Sequence, residues 1–316
     1  MAGATPSVIP ETLRLSDDVA GALSGGRGVV ALETSVIAQG LPVPRNAECL
    51  ERMSGAVRGA GAVPAWIGVV GGEIALGLSE AELGAFAEPG RAAKVARRDL
   101  PFAIASGGMG ATTVSSAIWA AHRSGIAVAA TGGIGGVHPA ADGGRPGTGD
   151  VSADLIELAR TPVLVVCSGP KSIVDPTATA ERLDELGVGV TGYRCDRLPF
   201  FLVREAPIDL DQRVDDPAEA AALARAIGAV GKAAGLLCNP VPEGFAMDEA
   251  GVADAVRVCQ ALAAEGGVRG KAVTPFLLSC LAERTAGASL EANLALLESN
   301  ARLAGEVATA LSAARS

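Results

Sequence analysis

Clustered basic residues, long apolar runs and closely spaced cysteines are all lacking in this sequence of 316 residues. The 26 Lys and Arg residues against 35 Asp and Glu give a formal net charge of -9. This balance argues against a nucleic-acid groove, because phosphate neutralisation needs clustered basic side chains. No apolar run reaches the roughly 20 residues that span a bilayer, and no cationic start with an apolar segment opens the chain. We therefore expect a soluble, cytoplasmic protein with no nucleic-acid or membrane partner.

The six cysteines lie far apart and include no CxxC pair. Their spacing predicts neither a zinc site nor a disulfide framework. We expect most of them to be small apolar residues of the core. They are Cys49, Cys167, Cys195, Cys238, Cys259 and Cys280.

Lysine is scarce: four of the 26 basic residues are Lys and the other 22 are Arg. A guanidinium group stays protonated, whereas a lysine amine can lose its proton and form a Schiff base. Where a chain otherwise uses arginine as its cation, Lys94 and Lys171, both next to predicted strands, become candidates for chemistry. Lys232 and Lys271 each lie beside a glycine, and chance retention on the surface is the alternative interpretation for all four.

Apolar strands and amphipathic helices alternate along a chain with 49% hydrophobic residues. The pattern predicts an α/β fold, layered α/β/α, with a mostly parallel central sheet flanked by helices. The length allows one large domain or two tightly joined ones; we expect a single domain over 1–316, with 1–10 as a flexible lead. The predicted strands are 28–35, a hairpin of 63–70 and 73–78, 102–105, 126–131, 163–167, 188–193 and 234–239. Predicted helices begin near positions 44, 79, 112, 152, 176, 217, 248, 274 and 289.

Two reactive side chains come at the ends of predicted buried strands. Lys171 follows VLVVC, and Glu33 ends VVALE. Open α/β sheets bind ligands in the crevice outside the carboxyl ends of their strands, so we predict that Lys171 is a reacting amine. A carboxylate after an apolar strand is costly unless it is paired or used. Glu33 therefore either takes part in the chemistry or caps or salt-bridges a neighbouring element.

The densest basic cluster is Lys94, Arg97 and Arg98, followed by a predicted strand, the turn SGGMG and a predicted helix start. Backbone N–H groups at such a turn and helix start bind anions. We predict a phosphate site with Lys94 here, with an ordinary strand-to-helix loop as the alternative. The later motif TGGIGG is not a dinucleotide fingerprint, because His138 stands where the third glycine belongs.

Three aspartates, Asp142, Asp150 and Asp154, lie in and just after a long glycine-rich loop, and Ser152 is the predicted N-cap of the next helix. Acidic residues in a first helical turn commonly balance the helix dipole. The same group also suits a hard divalent cation held by one carboxylate and water. Both interpretations stay open, and His138 is more typical of a hydrogen-bonding residue than of a metal ligand.

Asn293 and Asn300 lie seven positions apart in the last predicted helix and therefore share one face. Asparagine is a mediocre helix former, and the chain contains only four. The pair indicates a polar role: either it binds sugar hydroxyls, or it forms buried hydrogen bonds that fix helix packing.

A series of sequence blocks runs through nearly the whole chain, from about residue 11 to 312. The blocks are ALETSVIAQGLPVPRN, KVARRDLPF, GGMGATTV, ATGGIGGVH, DVSADL, GPKSIVD, NPVPEGFAM, GKAVTPFLL and SLEANLALLESNARLAGEVA. Together they resemble the pseudouridine-5′-phosphate glycosidase family, also described as indigoidine synthase A-like proteins. So many ordered blocks are far more specific than a single motif.

The resemblance implies reversible cleavage of pseudouridine 5′-phosphate to uracil and ribose 5-phosphate by a homotrimer with one manganese ion, or another divalent cation, per subunit. It makes Lys171 of GPKSIVD the Schiff-base lysine and Glu33 of ALETS the proton donor. The other implied site residues are Lys94, Val114, Ser152, Ala153 and Asp154 as substrate ligands, Thr131 and Asn293 at the ribose site, and Asp150 as the manganese ligand.

The chain departs from the family pattern at two places. It reads Glu33-Thr34-Ser35 where the family has Glu-Ser-Thr, and Gln39 where the family has histidine. The loop between His138 and Asp150 is also longer, which affects the expected metal geometry. Two rival functions stay open: another Schiff-base lyase of sugar phosphates, such as an aldolase, and a non-catalytic sugar-phosphate or nucleotide-binding protein linked to pigment synthesis.

Overall fold

The computed structural model describes residues 12–139 and 150–314 of the chain. Its strands are β1 (Leu13–Leu15), β2 (Val29–Glu33), β3 (Val63–Val70), β4 (Glu73–Leu76), β5 (Ala93–Val95), β6 (Gly110–Thr112), β7 (Val128–Ala130), β8 (Leu164–Cys167), β9 (Gly189–Tyr193), β10 (Gln212–Val214) and β11 (Gly235–Cys238). Its α-helices are α1 (Asp17–Ser24), α2 (Arg45–Gly59), α3 (Glu80–Ala87), α4 (Leu100–Ser106), α5 (Val114–Arg123), α6 (Ala153–Leu158), α7 (Pro176–Glu185), α8 (Pro217–Val230), α9 (Glu249–Glu265), α10 (Val273–Arg284) and α11 (Ala288–Ala313). None of these helices is long and apolar enough to cross a membrane.

All described strands join one sheet, whose main order is β1-β4-β3-β2-β7-β8-β11-β9-β10, with β6 beside β3 and β5 beside β6. Every neighbouring pair is parallel except β3 with β4 and β3 with β6. Residue pairing sets Leu32 level with Ala130, Ala130 with Val166, and Cys167 with Cys238. The carboxyl ends of β2, β7, β8 and β11 therefore meet at one edge, and the predicted α/β fold with a mostly parallel sheet is confirmed.

Alternate residues of the central strands enter two apolar cores, one on each face of the sheet. Val30 and Leu32 pack into the core that includes residues of α2, α8 and α11, while Val29 and Ala31 pack into the core with α1, α5, α6 and α7. Helix α11 contacts β2, β7 and β8 directly. It thus lies beneath the sheet edge where three strands end.

Several local predictions are confirmed. Strands β3 and β4 form the antiparallel hairpin, and Ser79 with Glu82 forms a capping box at the start of α3. The predicted cap Ser152 accepts a hydrogen bond from the Asp154 backbone N–H at 3.2 Å. These signals are local in sequence, so tertiary packing does not alter them.

The prediction of a strand at 102–105 is wrong, because these residues belong to helix α4. Pro101 lies in the first turn of that helix, where its missing N–H costs no hydrogen bond. Gly107 ends the helix with a left-handed φ of 65°, and Phe102 is 79% exposed. The apolar run is therefore a surface helix rather than a buried strand. The helix start expected near position 112 is confirmed by α5, whose N-cap is Thr113.

One disulfide joins two of the cysteines, although their spacing predicted no disulfide framework. Cys259 of α9 and Cys280 of α10 form a disulfide with their Cα atoms 5.8 Å apart. The two helices pack against each other, which brings together residues that are 21 positions apart and share no spacing motif. Cys49, Cys167 and Cys238 are buried free thiols, as expected.

Candidate active site

The carboxyl ends of β2, β7 and β8 open into two adjoining cavities. The inner cavity has a volume of about 40 Å³ and the outer cavity about 120 Å³. Five residues line both cavities: Glu33, Ser35, Lys94, Lys171 and Thr274. The cavities are thus two parts of one cleft at the position predicted for a ligand in an open α/β sheet.

Glu33 is the last residue of β2 and is only 5% exposed. Its Oε1 accepts a hydrogen bond of 2.6 Å from Thr131 Oγ1, and its Oε2 accepts one of 2.8 Å from Ser35 Oγ. Glu33 forms no salt bridge with another described residue, so the described part of the chain does not support the alternative that it salt-bridges a neighbouring element. Two hydroxyl groups hold a buried carboxylate at the wall of the cleft.

Lys171 follows β8 and is half-buried. Its backbone N–H donates to Ile134 O at 3.0 Å, and its carbonyl accepts from Val174 N–H at 3.0 Å. The side chain lines both cavities and forms no hydrogen bond or ion pair with another described residue. Lys171 therefore lines the same cleft as Glu33 and Asp150.

The glycines of TGGIGG allow close packing around the cleft. A Cβ atom on Gly133 would lie 2.8 Å from Phe201 Cδ2 and 3.3 Å from Lys171 Cγ, and one on Gly135 would lie 2.2 Å from Ser152 Oγ. These contacts account for glycine at both positions without a nucleotide ligand. They agree with the prediction that the motif is not a dinucleotide fingerprint.

Positive charge and helix N-termini surround the outer cavity. Lys94 of β5 and Arg98 line it, together with Val114 at the start of α5 and Ser152 and Ala153 at the start of α6. Backbone N–H groups and cationic side chains are the groups that bind phosphate. The predicted phosphate ligands Lys94 and Val114 are thus brought together, although the preceding predicted strand was incorrect.

Asp154 also lines the outer cavity but is held by the protein itself. It is 6% exposed, its Oδ1 accepts from Ser115 N–H at 3.1 Å, and its Oδ2 accepts from Gly135 N–H at 3.0 Å. The carboxylate therefore caps α5 and fixes the glycine-rich turn. Both oxygens are engaged, which favours a supporting role over direct ligation of a metal.

Asp150 differs from Asp154 because it is exposed and lines the outer cavity. No group of three or more His, Cys, Asp or Glu residues that would enclose a metal occurs in 12–139 and 150–314. One free carboxylate fits a hydrated hard cation that completes its shell with water and substrate oxygens. Asp142 and most of the longer loop lie outside the described residues.

His138 is half-buried beside these groups and also lines the outer cavity. Burial lowers its pKa below the ordinary value of 6.5, and Lys171 and Lys94 lower it further, while Asp150 and a hydrogen bond to the Ile173 backbone raise it. The imidazole is therefore neutral at neutral pH. The imidazole interacts electrostatically with both lysines, and all three residues line the outer cavity.

The two asparagines of α11 have different surroundings. Asn293 lines the inner cavity and is 7% exposed, and its amide forms no hydrogen bond with another described residue. Asn300 is fully buried and is hydrogen-bonded to Thr131, Ser168 and Asn239. Asn293 thus has the position of a ligand-binding residue, and Asn300 has the buried hydrogen bonds of the alternative interpretation.

Sequence reasoning missed several residues that line the inner cavity. Phe201 lies in none of the predicted strands and has a positive φ of 55°. Thr274 comes from α10. Gln39 donates its Nε2 to Ala92 O at 2.9 Å, and its buried Oε1 has no partner among the described residues. Ser35 and Gln39 were noted in the sequence only as departures from the family pattern.

The sequence is similar over almost its whole length to one protein family. The family model described as indigoidine synthase A like protein matches residues 18–310. A relative from Methylobacterium nodulans named pseudouridine-5′-phosphate glycosidase is 46% identical over 305 residues, covering 96% of this chain and 89% of its own. An Escherichia coli relative with the same name is 45% identical over 303 residues, covering 95% and 96%.

Two crystal structures share the fold. The prealnumycin C-glycosynthase AlnA in complex with ribulose 5-phosphate is 42% identical, with a TM-score of 0.86 over 96% of this chain and 98% of that chain. An indigoidine synthase A-like protein from Thermotoga maritima is 36% identical, with a TM-score of 0.85 over 99% of both chains. Fold and sequence therefore agree in the family that they indicate.

Proposed function

The chain belongs to the indigoidine synthase A-like family, and from this premise we propose that it is an enzyme that cleaves pseudouridine 5′-phosphate reversibly to uracil and ribose 5-phosphate. The observation that carries the proposal is that Lys171 and Glu33 line the same cleft. Relatives 45% and 46% identical are named for this activity. The AlnA neighbour was crystallised with a five-carbon sugar phosphate.

The scissile bond joins ribose C1′ to carbon C5 of uracil. Its leaving group has no lone pair to protonate, so the two-carboxylate chemistry of O-glycosides is poorly suited. In our proposal the neutral Lys171 Nζ attacks C1′, the C1′–O4′ bond breaks and O4′ takes up the proton that the nitrogen loses. The ribose is then an open chain bonded through C1′ to both nitrogen and uracil.

Carbon–carbon cleavage follows from the nitrogen lone pair. That pair forms the C1′=N bond of a Schiff base while the C1′–C5 bond breaks and its electron pair moves to C5. Glu33 supplies the proton that C5 takes up, at a distance fixed by Thr131 and Ser35. Water then hydrolyses the Schiff base, which frees Lys171 and ribose 5-phosphate.

The remaining residues bind and orient the substrate. In this proposal Lys94 and the N-termini of α5 and α6, which line the outer cavity, would hold the phosphate. Asn293 and Thr131, which line the inner cavity, would bind the sugar. Asp150 would hold a manganese ion, which when bound supplies positive charge beside the substrate oxygens. Ser152, Ala153 and Val114 would complete the wall around the substrate.

The direct test is conversion of pseudouridine 5′-phosphate by the purified protein, followed by ultraviolet absorbance and chromatography with and without manganese. We expect equimolar uracil and ribose 5-phosphate, and formation of pseudouridine 5′-phosphate from these two products. Tight binding without turnover would support the non-catalytic alternative. Sugar-phosphate cleavage that neither releases nor consumes uracil would support an aldolase.

Borohydride reduction in the presence of ribose 5-phosphate tests the role of Lys171. Wild type should carry a sugar phosphate on the peptide that contains Lys171, and Lys171→Arg should lose turnover by at least about 10³-fold. Lys232→Arg, a lysine remote from the cleft, should be trapped and should turn over like wild type. An unmodified Lys171 peptide in active enzyme would refute the covalent step.

A second candidate function is formation of a C-glycosidic bond to an acceptor other than uracil. The neighbour named as a prealnumycin C-glycosynthase favours it, and it uses the same proposed chemistry in reverse. Comparing uracil with other carbon nucleophiles as acceptors for ribose 5-phosphate separates the two. The homotrimer implied by the resemblance and the cytoplasmic location expected from the composition stay predictions, the first testable by light scattering.

A further inference from the structure

We infer that Asn300 is a positioning residue of the active site, which holds the ends of β7, β8 and β11 so that Thr131 fixes Glu33. The expected effect of Asn300 on turnover rests on the proposed function. Asn300 lines neither cavity and is 0% exposed. Any effect on turnover must therefore pass through its neighbours.

The Asn300 amide connects three strand ends. Its Nδ2 donates to Thr131 O at 2.9 Å and to Ser168 Oγ at 3.1 Å, with Gly132 O at 3.3 Å. Its Oδ1 accepts from Asn239 Nδ2 at 3.0 Å. Thr131 follows β7, Ser168 follows β8 and Asn239 follows β11. A single side chain thus uses its donors and its acceptor to tie three separate turns.

Two of these turns carry the proposed chemistry. The Thr131 peptide is held by Asn300 on its carbonyl and by Val166 O, 3.0 Å from its N–H, and the Thr131 hydroxyl donates to Glu33 Oε1 at 2.6 Å. Ser168 begins the turn that leads to Lys171. A shift of the Asn300 amide would therefore move the partner of the carboxylate and the base of the turn that bears the lysine.

The chemistry of the contacts explains why an amide is required. The Thr131 carbonyl accepts a hydrogen bond and Asn239 Nδ2 donates one, so their common partner must be both donor and acceptor, as an asparagine side chain is. Aspartate keeps the acceptor but removes the donors and buries a charge. Serine is too short to bridge the strand ends. Asn293, two helical turns away, cannot substitute because it faces the cavity.

The experiment compares Asn300→Ser and Asn300→Asp with the control Ser54→Ala. The control removes the buried acceptor of Trp66 Nε1, a loss of similar kind that lies outside both cavities. In Asn300→Ser we expect kcat to fall about 10- to 100-fold while KM changes less than about threefold, because small misplacements of catalytic groups cost this much. Ser54→Ala should lower thermal stability and leave kcat unchanged.

A double-mutant cycle with Thr131→Val tests the route of the effect. If Asn300 acts through Thr131, the double variant should be scarcely slower than the slower single variant. Multiplicative effects on kcat, or an Asn300→Ser enzyme with wild-type kcat, would overturn the inference. Should both Asn300 variants fail to fold, Ser168→Ala removes one contact of the amide and should lower kcat in the same direction, by a smaller factor.

Hydrogen–deuterium exchange separates this inference from the proposed function. Peptides covering 131–135 and 166–172 should exchange at least about tenfold faster in Asn300→Ser than in Ser54→Ala, since the tie is local. Unchanged exchange would overturn the positioning role whatever the substrate is. Faster exchange in a protein that does not cleave pseudouridine 5′-phosphate would support the tie and refute the proposed activity.

Discussion

The inner and outer cavities share five lining residues but hold their polar groups in different ways. In the inner cavity, Glu33 is buried and bound by two hydroxyl groups, and Thr131 is itself fixed by a buried amide. In the outer cavity, Asp150 is exposed, and Arg98 is 72% exposed at its side chain. The contrast suits proton transfer at a rigid group on one side and binding of a hydrated phosphate and cation on the other.

The largest effect that tests this difference between the two cavities is expected at Glu33. We expect Glu33→Gln to lower kcat by roughly 10²- to 10⁴-fold with little change in KM, because an amide keeps the shape but cannot supply the proton. Steady-state kinetics on pseudouridine 5′-phosphate measure both constants. Glu82→Gln, a partly exposed carboxylate of α3, is the control and should keep wild-type kcat. A Glu33→Gln enzyme with more than about a tenth of wild-type kcat would contradict a proton-donor role.

Asp154 tests whether the back wall of the outer cavity is as rigid as the inner cavity. Asp154→Asn removes a charged acceptor from two backbone N–H groups and turns an amide N–H toward one of them. The free energy of unfolding should fall by about 1.5–3 kcal/mol, measured by denaturant titration. Asp254→Asn is the matched control, since Asp254 is exposed and, among the described residues, is paired only with Arg257; it should change stability by less than about 0.5 kcal/mol. Equal losses of stability in the two variants would show that the hydrogen bonds of Asp154 do not stabilise the protein more than an exposed ion pair does.

The sequence could predict the parts of the site that depend on one strand end at a time. Glu33 and Lys171 each follow a buried apolar run, and because parallel strands end at one edge, their meeting could be expected from the fold class. The cap at Ser152 was likewise a local signal. Glu33 and Lys171 line one cleft, as the hypothesis of a shared active site requires.

The other features of the site and the fold depend on contacts between residues that are distant in sequence. Asn293 and Asn300 share a helix face, yet seven residues span about 10 Å along the axis, so one reaches the cavity and the other lies under the strand ends. Phe201 reaches the cleft from an irregular segment, and Cys259 meets Cys280 only because α9 packs on α10. Such contacts have no sequence period. The helix at 102–105 was missed because an apolar run alone does not separate a strand from a surface helix.

Asp150 gives a smaller effect that belongs to the outer cavity alone. Asp150→Asn should leave stability unchanged because the side chain is exposed, while the manganese concentration for half-maximal activity should rise at least about tenfold. Titration of chelator-treated enzyme with manganese measures it, and Asp196→Asn is an exposed control distant from the cleft. If chelator-treated wild type keeps full activity without manganese, Asp150 has no metal role and the distinction between the cavities rests on phosphate binding alone.

His138 gives the smallest effect and tests how far water is excluded from the wall of the outer cavity. Burial, with Lys171 and Lys94, lowers the pKa of His138 below 6.5, so the unfolded chain takes up a proton near pH 6.5 that the folded chain does not. Stability should therefore fall as the pH drops below 6.5. In His138→Gln the difference in Tm between about pH 7 and pH 5 should shrink by a few degrees at most.

The matched control for this change is His122→Gln. The pKa of His122 is also lowered, by burial and by Arg123, but the residue is exposed at the end of α5, so water screens its charge and the pH dependence should change less than in His138→Gln. Equal changes would mean that the imidazole beside the two lysines is as well hydrated as one on the surface. In that case, burial would not distinguish the wall of the cleft from the exterior, and the rigidity argued for the inner cavity would have to come from its hydrogen bonds alone.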